Sequence, residues 1–338
     1  MNSKKILVVY GGTSPERNVS LASGEAVAAA LIKLGHNVSR LDPARPDRLV
    51  AAAVSLAGEG VGTEPANHSW RDIEQNEVLQ LLETITDLAP DLVYIAMHGG
   101  WGEDGSLQGM LDMTGIPYTG SGVLASAAAM DKNYTKQLAG QLGISLPHSQ
   151  LLRRGADADG LREDYGFPVI VKPNAMGSTL GLCIAQDLAE QERAIELVLQ
   201  ELKDDVLLEE YIPGSEITCT VLGGEALPLV EIRPREGFYD YINKYTDGKT
   251  EYLVPAPLSE ELTFTIQRDS VAICQALQVE ILARVDFRVT PEGRTAFLEL
   301  NTSPGMTLTS LVPKAAAAVG LTFEQLVERI VELSLKKV

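Results

Sequence analysis

The first third of the chain alternates short β-branched runs with longer amphipathic segments, and no other feature restricts the fold as much. Ile6–Tyr10, Val38–Leu41 and Leu92–Met97 read as strands and Ser20–Leu34 as a helix. Strands that recur after helical segments pair as βαβ units, so this spacing predicts an α/β fold with a parallel sheet. At roughly 150 residues per domain, 338 residues predict two or three domains.

A second block opens with an Ala-rich helix around Ser126–Met130, expected to continue through Asp131–Leu142. Strands follow at Leu146–Leu152, Val169–Pro173 and Val206–Glu210, with a charged helix at Leu188–Leu202. After Gly214, Glu216–Leu222 and Ala226–Ile232 read as antiparallel strands, then a polar, aromatic loop spans Arg235–Tyr252. A helix at Glu260–Leu277, strands at Ile281–Val289 and Thr295–Asn301, and two helices close the chain. Thr322 and Gln325 stand in capping-box spacing before the last helix. Between Ser55 and Asn76 the pattern lapses into an inserted Gly-rich loop, with His68 and Trp70 as surface anchors.

Lys and Arg number 28 against 46 Asp and Glu, a net charge of −18. Nucleic acid and anionic lipid both call for clustered cations, so neither is an expected partner. An anionic small ligand stays open, because a cleft sets its own local field. Cys183, Cys219 and Cys274 lie far apart and outside any CxxC spacing, which argues against a disulfide framework or a zinc site. Lys4 and Lys5 precede apolar residues as in a signal peptide, but that run stops at Tyr10. No apolar stretch nears the roughly 20 residues of a membrane span. A cytoplasmic location is expected.

Several turns that follow strands carry candidate chemistry. GGTSPERNVSL lacks GxGxxG, yet it sits where open α/β sheets bind ligands. Its Glu16 could hold a ligand ammonium group, although this turn taken alone favours a solvated first-turn glutamate at the helix dipole. AMHGGWGEDGSLQG puts His98 at a strand tip. In VIVKPNAMGSTLG a strand delivers Lys172, and the loop Asn174–Gly181 offers small residues and N–H groups that can cover polyphosphate; taken alone, a Gly/Ser/Thr hairpin beside a salt-bridged lysine reads the same way. VLLEEYIPGSE reads as an interdomain hinge fitted to an adenine ring, walled by Leu208, Tyr211 and Ile212. Glu209 and Glu216 would then accept from the amino group and the ribose hydroxyls; edge-strand solubility charges would look the same.

In ARVDFRV the two-residue period puts Arg284, Asp286 and Arg288 on one face, and Val285, Phe287 and Val289 on the other. AFLELNTSPGM brings Glu299 and Asn301 together in the same way. Asp286, Glu299 and Asn301 make an oxygen set suited to Mg²⁺, with no nearby His or Cys for a softer metal. The structural alternative is a polar sheet face with cross-strand charge pairs. Asn, a poor strand former, favours the metal.

Together these segments, with IPYTGSGVLASAAAMDK and FYDYINKY, resemble the ATP-grasp superfamily and, within it, the D-alanine–D-alanine ligase family, over essentially the whole chain. The resemblance implies a three-domain ATP-grasp fold with an N-terminal Rossmann-like parallel-sheet domain. The expected division is residues 1–125, a central ATP-grasp part at 126–212, and a C-terminal part at 213–338 with metal and substrate sites. It implies that Lys132, Lys172 and Lys244 contact ATP phosphates, with Ser178 in the covering loop. Glu209, the Ile212 backbone and Glu216 would hold adenosine, while Asp286, Glu299 and Asn301 bind two Mg²⁺, or Mn²⁺. Glu16 would hold the ammonium of a first D-alanine, in a network with Ser178 and Tyr245. Arg284 and the Gly305 backbone would meet the oxyanion, and Ser310 the carboxylate of a second D-alanine. The implied activity is ATP-dependent D-alanyl-D-alanine synthesis through an acyl phosphate, for peptidoglycan precursors, by a homodimer.

The sequence departs from the family pattern in GST for GSS, in Glu210 where several relatives carry lysine, and in the insertion. Rival readings are the same scaffold with a D-lactate, D-serine or other acceptor, and a catalytically silent nucleotide-binding module. Tyr245 favours the dipeptide-forming type by resemblance, and the silent module conflicts with the intact set of metal ligands and phosphate lysines. A dehydrogenase lacks its fingerprint.

Overall fold

The computed structural model describes residues 2–46, 49–51, 74–156, 166–177, 179–235 and 248–337. β1 (Lys5–Val9), α1 (Arg17–Lys33), β2 (Asn37–Leu41), β3 (Leu49–Ala51), α2 (Gln75–Leu88) and β4 (Leu92–Ile95) build a first sheet, ordered β3-β2-β1-β4. β1 pairs parallel with β2 and β4, and Ile6 to Val9 are fully buried, as expected of a central strand covered on both faces. α1 starts at Arg17 rather than Ser20. Its first turns bury hydroxyls: Ser20 Oγ donates to Ala96 O and accepts from Gly11 N, both at 2.8 Å. Apolar periodicity therefore begins later than the helix does.

α2 has no counterpart among the expected elements. Its start is announced by glutamates rather than by Ser or Thr, with Glu77 accepting from the Glu74 N–H at 3.0 Å. Residues 52–73, including His68 and Trp70, lie outside the described residues, and Gln75 and Asn76 open the helix.

α3 (Ser106–Thr114), α4 (Val123–Met130) and α5 (Lys132–Gln141) lead into the second sheet. The helix expected to run on through Asp131 is instead two helices. Asp131 leaves the helical conformation and caps α5, accepting from Tyr134 N at 2.9 Å. β5 (Ser149–Leu152), β6 (Val169–Pro173), β7 (Cys183–Ala185), α6 (Leu188–Glu196, extended by a π turn at Leu197–Leu202) and β8 (Val206–Glu210) follow. Their strands form an antiparallel sheet ordered β5-β8-β6-β7.

The third sheet is antiparallel: β9 (Ser215–Leu222), β10 (Glu225–Ala226), β11 (Val230–Pro234), β12 (Thr250–Leu253), then α7 (Glu260–Ala276), β13 (Leu282–Val289) and β14 (Thr295–Asn301). Its order is β12-β11-β9-β13-β14, with β10 paired to β9. The single strand expected at Ala226–Ile232 is split between β10 and β11, and the expected loop through Tyr252 closes in β12. Under this sheet Phe287 and Phe297 meet edge to face at 5.8 Å, with Ile217, Cys219 and Val285 around them. α8 (Leu311–Ala318) packs on β9 and β11 of the third sheet, and α9 (Phe323–Lys336) returns to α1 and β4 of the first. There Leu326, Val327 and Ile330 pack with Val27 and Leu31, and His36 meets Glu328 at 2.9 Å. Among the described residues no helix is long and apolar enough to cross a membrane.

Candidate active site

A cavity of about 180 Å³ is bordered by strands of the second and third sheets and by Glu16, Val19 and His98, which stand at the start of α1 and after β4. Every described member of the expected site lines it: Glu16, Lys132, Lys172, Glu209, Ile212, Glu216, Arg284, Asp286, Glu299, Asn301, Gly305 and Ser310. Ser178, Lys244 and Tyr245 lie outside the described residues. Met176, Leu180, Leu182 and Tyr211 supply apolar wall on the side of the second sheet and the hinge, and Leu298 of β14 supplies it on the side of the third.

Glu16 stands at the start of α1, but it is buried rather than solvated. Two glycine turns close on its carboxylate: a Cβ at Gly99 would stand 2.8 Å from Glu16 Oε2, and one at Gly177 2.7 Å from it. Only the missing side chains allow that approach. His98, which the sequence placed at a strand tip without a role, also lines the cavity. Its Nδ1 lies 2.9 Å from Ser303 O and its Nε2 2.9 Å from Ser23 Oγ, so the ring bridges the first and third sheets. Burial opposes its charged form, but the hydrogen bond and charge of Glu103, with Glu16 behind, outweigh this and raise its pKa above the ordinary 6.5. Stability contributed by a raised histidine is complete below that ordinary value and is lost as pH rises through the folded one. Glu103→Gln is expected to lower the His98 titration midpoint and to bring that loss to lower pH; imidazole NMR and melting temperature against pH measure both.

The two described lysines expected to meet phosphate are anchored from the protein side. Lys132 opens α5, where its Nζ donates to Met176 O at 2.6 Å and lies 3.5 Å from Glu299. The loop that would cover phosphate is stitched to this helix start: Asn174 Nδ2 donates to Asp131, and Asn174 Oδ1 accepts from Asn133 N, both at 2.9 Å. Glu209 is buried between two cations, 2.8 Å from Lys172 and 2.8 Å from Lys136. Burial pushes its carboxyl up, yet the two lysines hold it below the usual carboxylate range. Lys136 was missed in the sequence, because a lysine on a helix reads as a solvated face.

The hinge after β8 is fixed by backbone contacts. Arg288 donates to Ile212 O at 3.2 Å and Gly214 O at 2.6 Å, and lies 3.6 Å from Glu216. A Cβ at Gly214 would stand 2.1 Å from Val289 O, so only glycine fits there. Glu210, the departure beside the expected adenine wall, pairs with Arg294 at 3.1 Å and accepts from His148 N.

Asp286 and Glu299 are direct cross-strand partners, and Arg284 pairs with Asn301. A register shift leaves Leu298 as an extra residue on β14, so Leu298 and Glu299 both reach the cavity while Phe297 enters the core. Asp286 accepts from Thr218 Oγ1 at 2.6 Å and from Arg284 Nη2 at 2.8 Å. Among the described residues no group of three or more His, Cys, Asp or Glu side chains is placed to share an ion. A cation here would rest on the Asn301 amide as third donor, and this all-oxygen set fits Mg²⁺. Ser310 stands at the N-cap position of α8 without a side-chain cap bond; its Oγ instead accepts from Thr307 N at 3.0 Å, and a helix start of this kind suits a carboxylate.

Two family models match the chain, D-ala D-ala ligase N-terminus over residues 5–121 and D-ala D-ala ligase C-terminus over residues 138–332. A D-alanine--D-alanine ligase of Syntrophotalea carbinolica is 44% identical over 98% of this chain and 96% of its own length. One from Aquifex aeolicus is 39% identical over 97% of this chain and 99% of its own. Among solved structures, the D-alanine--D-alanine ligase of Bacillus anthracis complexed with ATP superposes with a TM-score of 0.79 at 33% identity, covering 99% of this chain and 98% of that one. The VanG D-Ala:D-Ser ligase of Enterococcus faecalis gives 0.75 at 30% identity, covering 98% of this chain and 100% of that one.

Proposed function

The chain belongs to the D-alanine–D-alanine ligase family, with its ATP-grasp α/β fold, and we propose that its cavity joins two D-alanines at the expense of ATP. The observation that supports this reading is convergence: Glu16, Lys132, Lys172, Arg284, Asp286, Glu299 and Asn301, far apart in sequence, line a single cavity, and these are the residues that family resemblance assigns to an ammonium group, phosphate, oxyanion and metal.

The chemistry follows from charge and position. The first D-alanine, its ammonium on Glu16, presents its carboxylate to the γ-phosphorus of ATP; an O–P bond forms and ADP leaves. The amine of the second D-alanine, its carboxylate at Ser310 and the start of α8, attacks the acyl carbon, loses a proton and displaces phosphate. Lys132 and Lys172 offset charge on the transferring phosphoryl group, and Arg284 with the Gly305 N–H meets the tetrahedral oxyanion. Asp286, Glu299 and Asn301 would hold Mg²⁺ or Mn²⁺, which supplies further charge neutralisation when bound. Lys244, Ser178 and Tyr245 are assigned to the covering loops by family resemblance, and excluding water there protects the acyl phosphate. Adenosine is assigned to Glu209, the Ile212 backbone and Glu216. The division at 125 and 212, a cytoplasmic location and a homodimer belong to the same proposal.

A panel of D- and L-amino acids with D-lactate, read by phosphate release, tests it. D-alanine is expected to drive ADP and phosphate formation coupled to dipeptide. Rapid release with D-serine or D-lactate as acceptor, and none with D-alanine alone, would overturn the substrate assignment.

A further inference from the structure

Lys136 does not line the cavity, yet it is only 2% exposed and joins two parts of the site. Its Nζ lies 2.8 Å from Glu209 Oε1 and donates to Phe297 O at 3.1 Å. The other Glu209 oxygen lies 2.8 Å from Lys172, which faces the cavity. Phe297 stands at the bulge of β14: it pairs with Phe287, while Glu299 pairs with Asp286 across the extra Leu298. The Phe297 N–H donates to Ser145 O at 2.9 Å, so side-chain and loop partners outside the strand pair hold this residue. One ammonium thus fixes the carboxylate that aims Lys172 and the carbonyl next to the bulge that aims Leu298 and Glu299.

Burying that ammonium is costly, and burial pulls its pKa down to about 8 against the pull of Glu209. A methionine of similar length would fill the space with no such cost, but it would leave Glu209 and the Phe297 carbonyl without their shared partner. We propose that Lys136 is a positioning residue for the nucleotide and its divalent cation. It acts through Glu209 and the β14 bulge, without touching substrate. This inference rests on the ligase reading above for the identity of the reaction.

The test uses the full chain with Lys136→Met and Lys136→Arg. ATP, Mg²⁺ and D-alanine are varied separately in steady-state assays, and Mn²⁺ binding in the presence of ADP is followed by electron paramagnetic resonance, which needs no turnover. In Lys136→Met the KM for ATP and the Mg²⁺ concentration for half-maximal rate are expected to rise, and Mn²⁺–ADP affinity to fall, by about tenfold or more. The KM for D-alanine is expected to stay within about twofold, because the Glu16 side of the cavity is untouched. Lys136→Arg should recover most of the loss. A Lys136→Met protein that melts earlier but keeps its ATP and Mn²⁺–ADP constants would show a purely structural role and overturn the assignment. So would an equal rise in every KM. Should Lys136→Met fail to fold, Lys136→Gln decides by the same two outcomes. A wild-type chain that binds Mn²⁺–ADP but does not turn over D-alanine would end the substrate assignment and leave Lys136 to be judged on binding alone.

Discussion

Asn301→Ala is expected to lower Mg²⁺-dependent turnover by at least about 100-fold while the protein stays folded. Asn301 ends β14 half-buried, and its Oδ1 accepts from Ser303 N at 2.8 Å, while Ser303 is also held by its own hydroxyl bond to Met97 O. Its removal takes the third oxygen donor from beside Asp286 and Glu299, and two carboxylates alone hold a cation less firmly. Turnover across a Mg²⁺ titration, with circular-dichroism melting as the control for folding, reads the effect. Near-normal turnover at ordinary Mg²⁺ would remove Asn301 from the metal site.

Arg284→Met carries the second large effect, a loss in kcat on the order of 10²–10³ with KM for ATP little changed. The guanidinium is already oriented, with Nε at 3.0 Å and Nη2 at 2.8 Å from Asp286 oxygens, so it can meet developing charge without reorganising. Methionine keeps the aliphatic contact area and removes only the donors. An equal fall in kcat and kcat/KM is the signature of an interaction made in the transition state. A rise in KM at unchanged kcat would reassign Arg284 to ground-state binding.

Much of this site was legible one strand at a time. Val169–Pro173, Val206–Glu210 and Thr295–Asn301 form with the expected bounds, each an apolar run closed by polar or turn residues at its ends. Polar groups within those strands, such as Lys172, Glu209 and Asn301, stood out against an apolar background. What escaped was polarity used inside helices. Ser20 hides the start of α1, Asp131 opens a separate helix after the alanines, and Lys136 is a buried charge on a helix, where spacing alone reads solvated surface. His98 escaped for the opposite reason: a strand-tip histidine is common, and its value comes from Ser23, Glu103 and Ser303, which arrive from elsewhere.

The sequence by itself determined the α/β alternation, the hard-oxygen character of the β13–β14 pair and the family, since these depend on residue type and on spacings within a strand or turn. Tertiary structure decided which groups meet: Glu16 against Gly99 and Gly177, Glu209 between Lys136 and Lys172, and the bulge that turns Leu298 and Glu299 to the same cavity. Periodicity records the direction of a side chain relative to its own strand or helix. Distances between charges depend on how separate sheets pack, and that information exists only once the chain has folded.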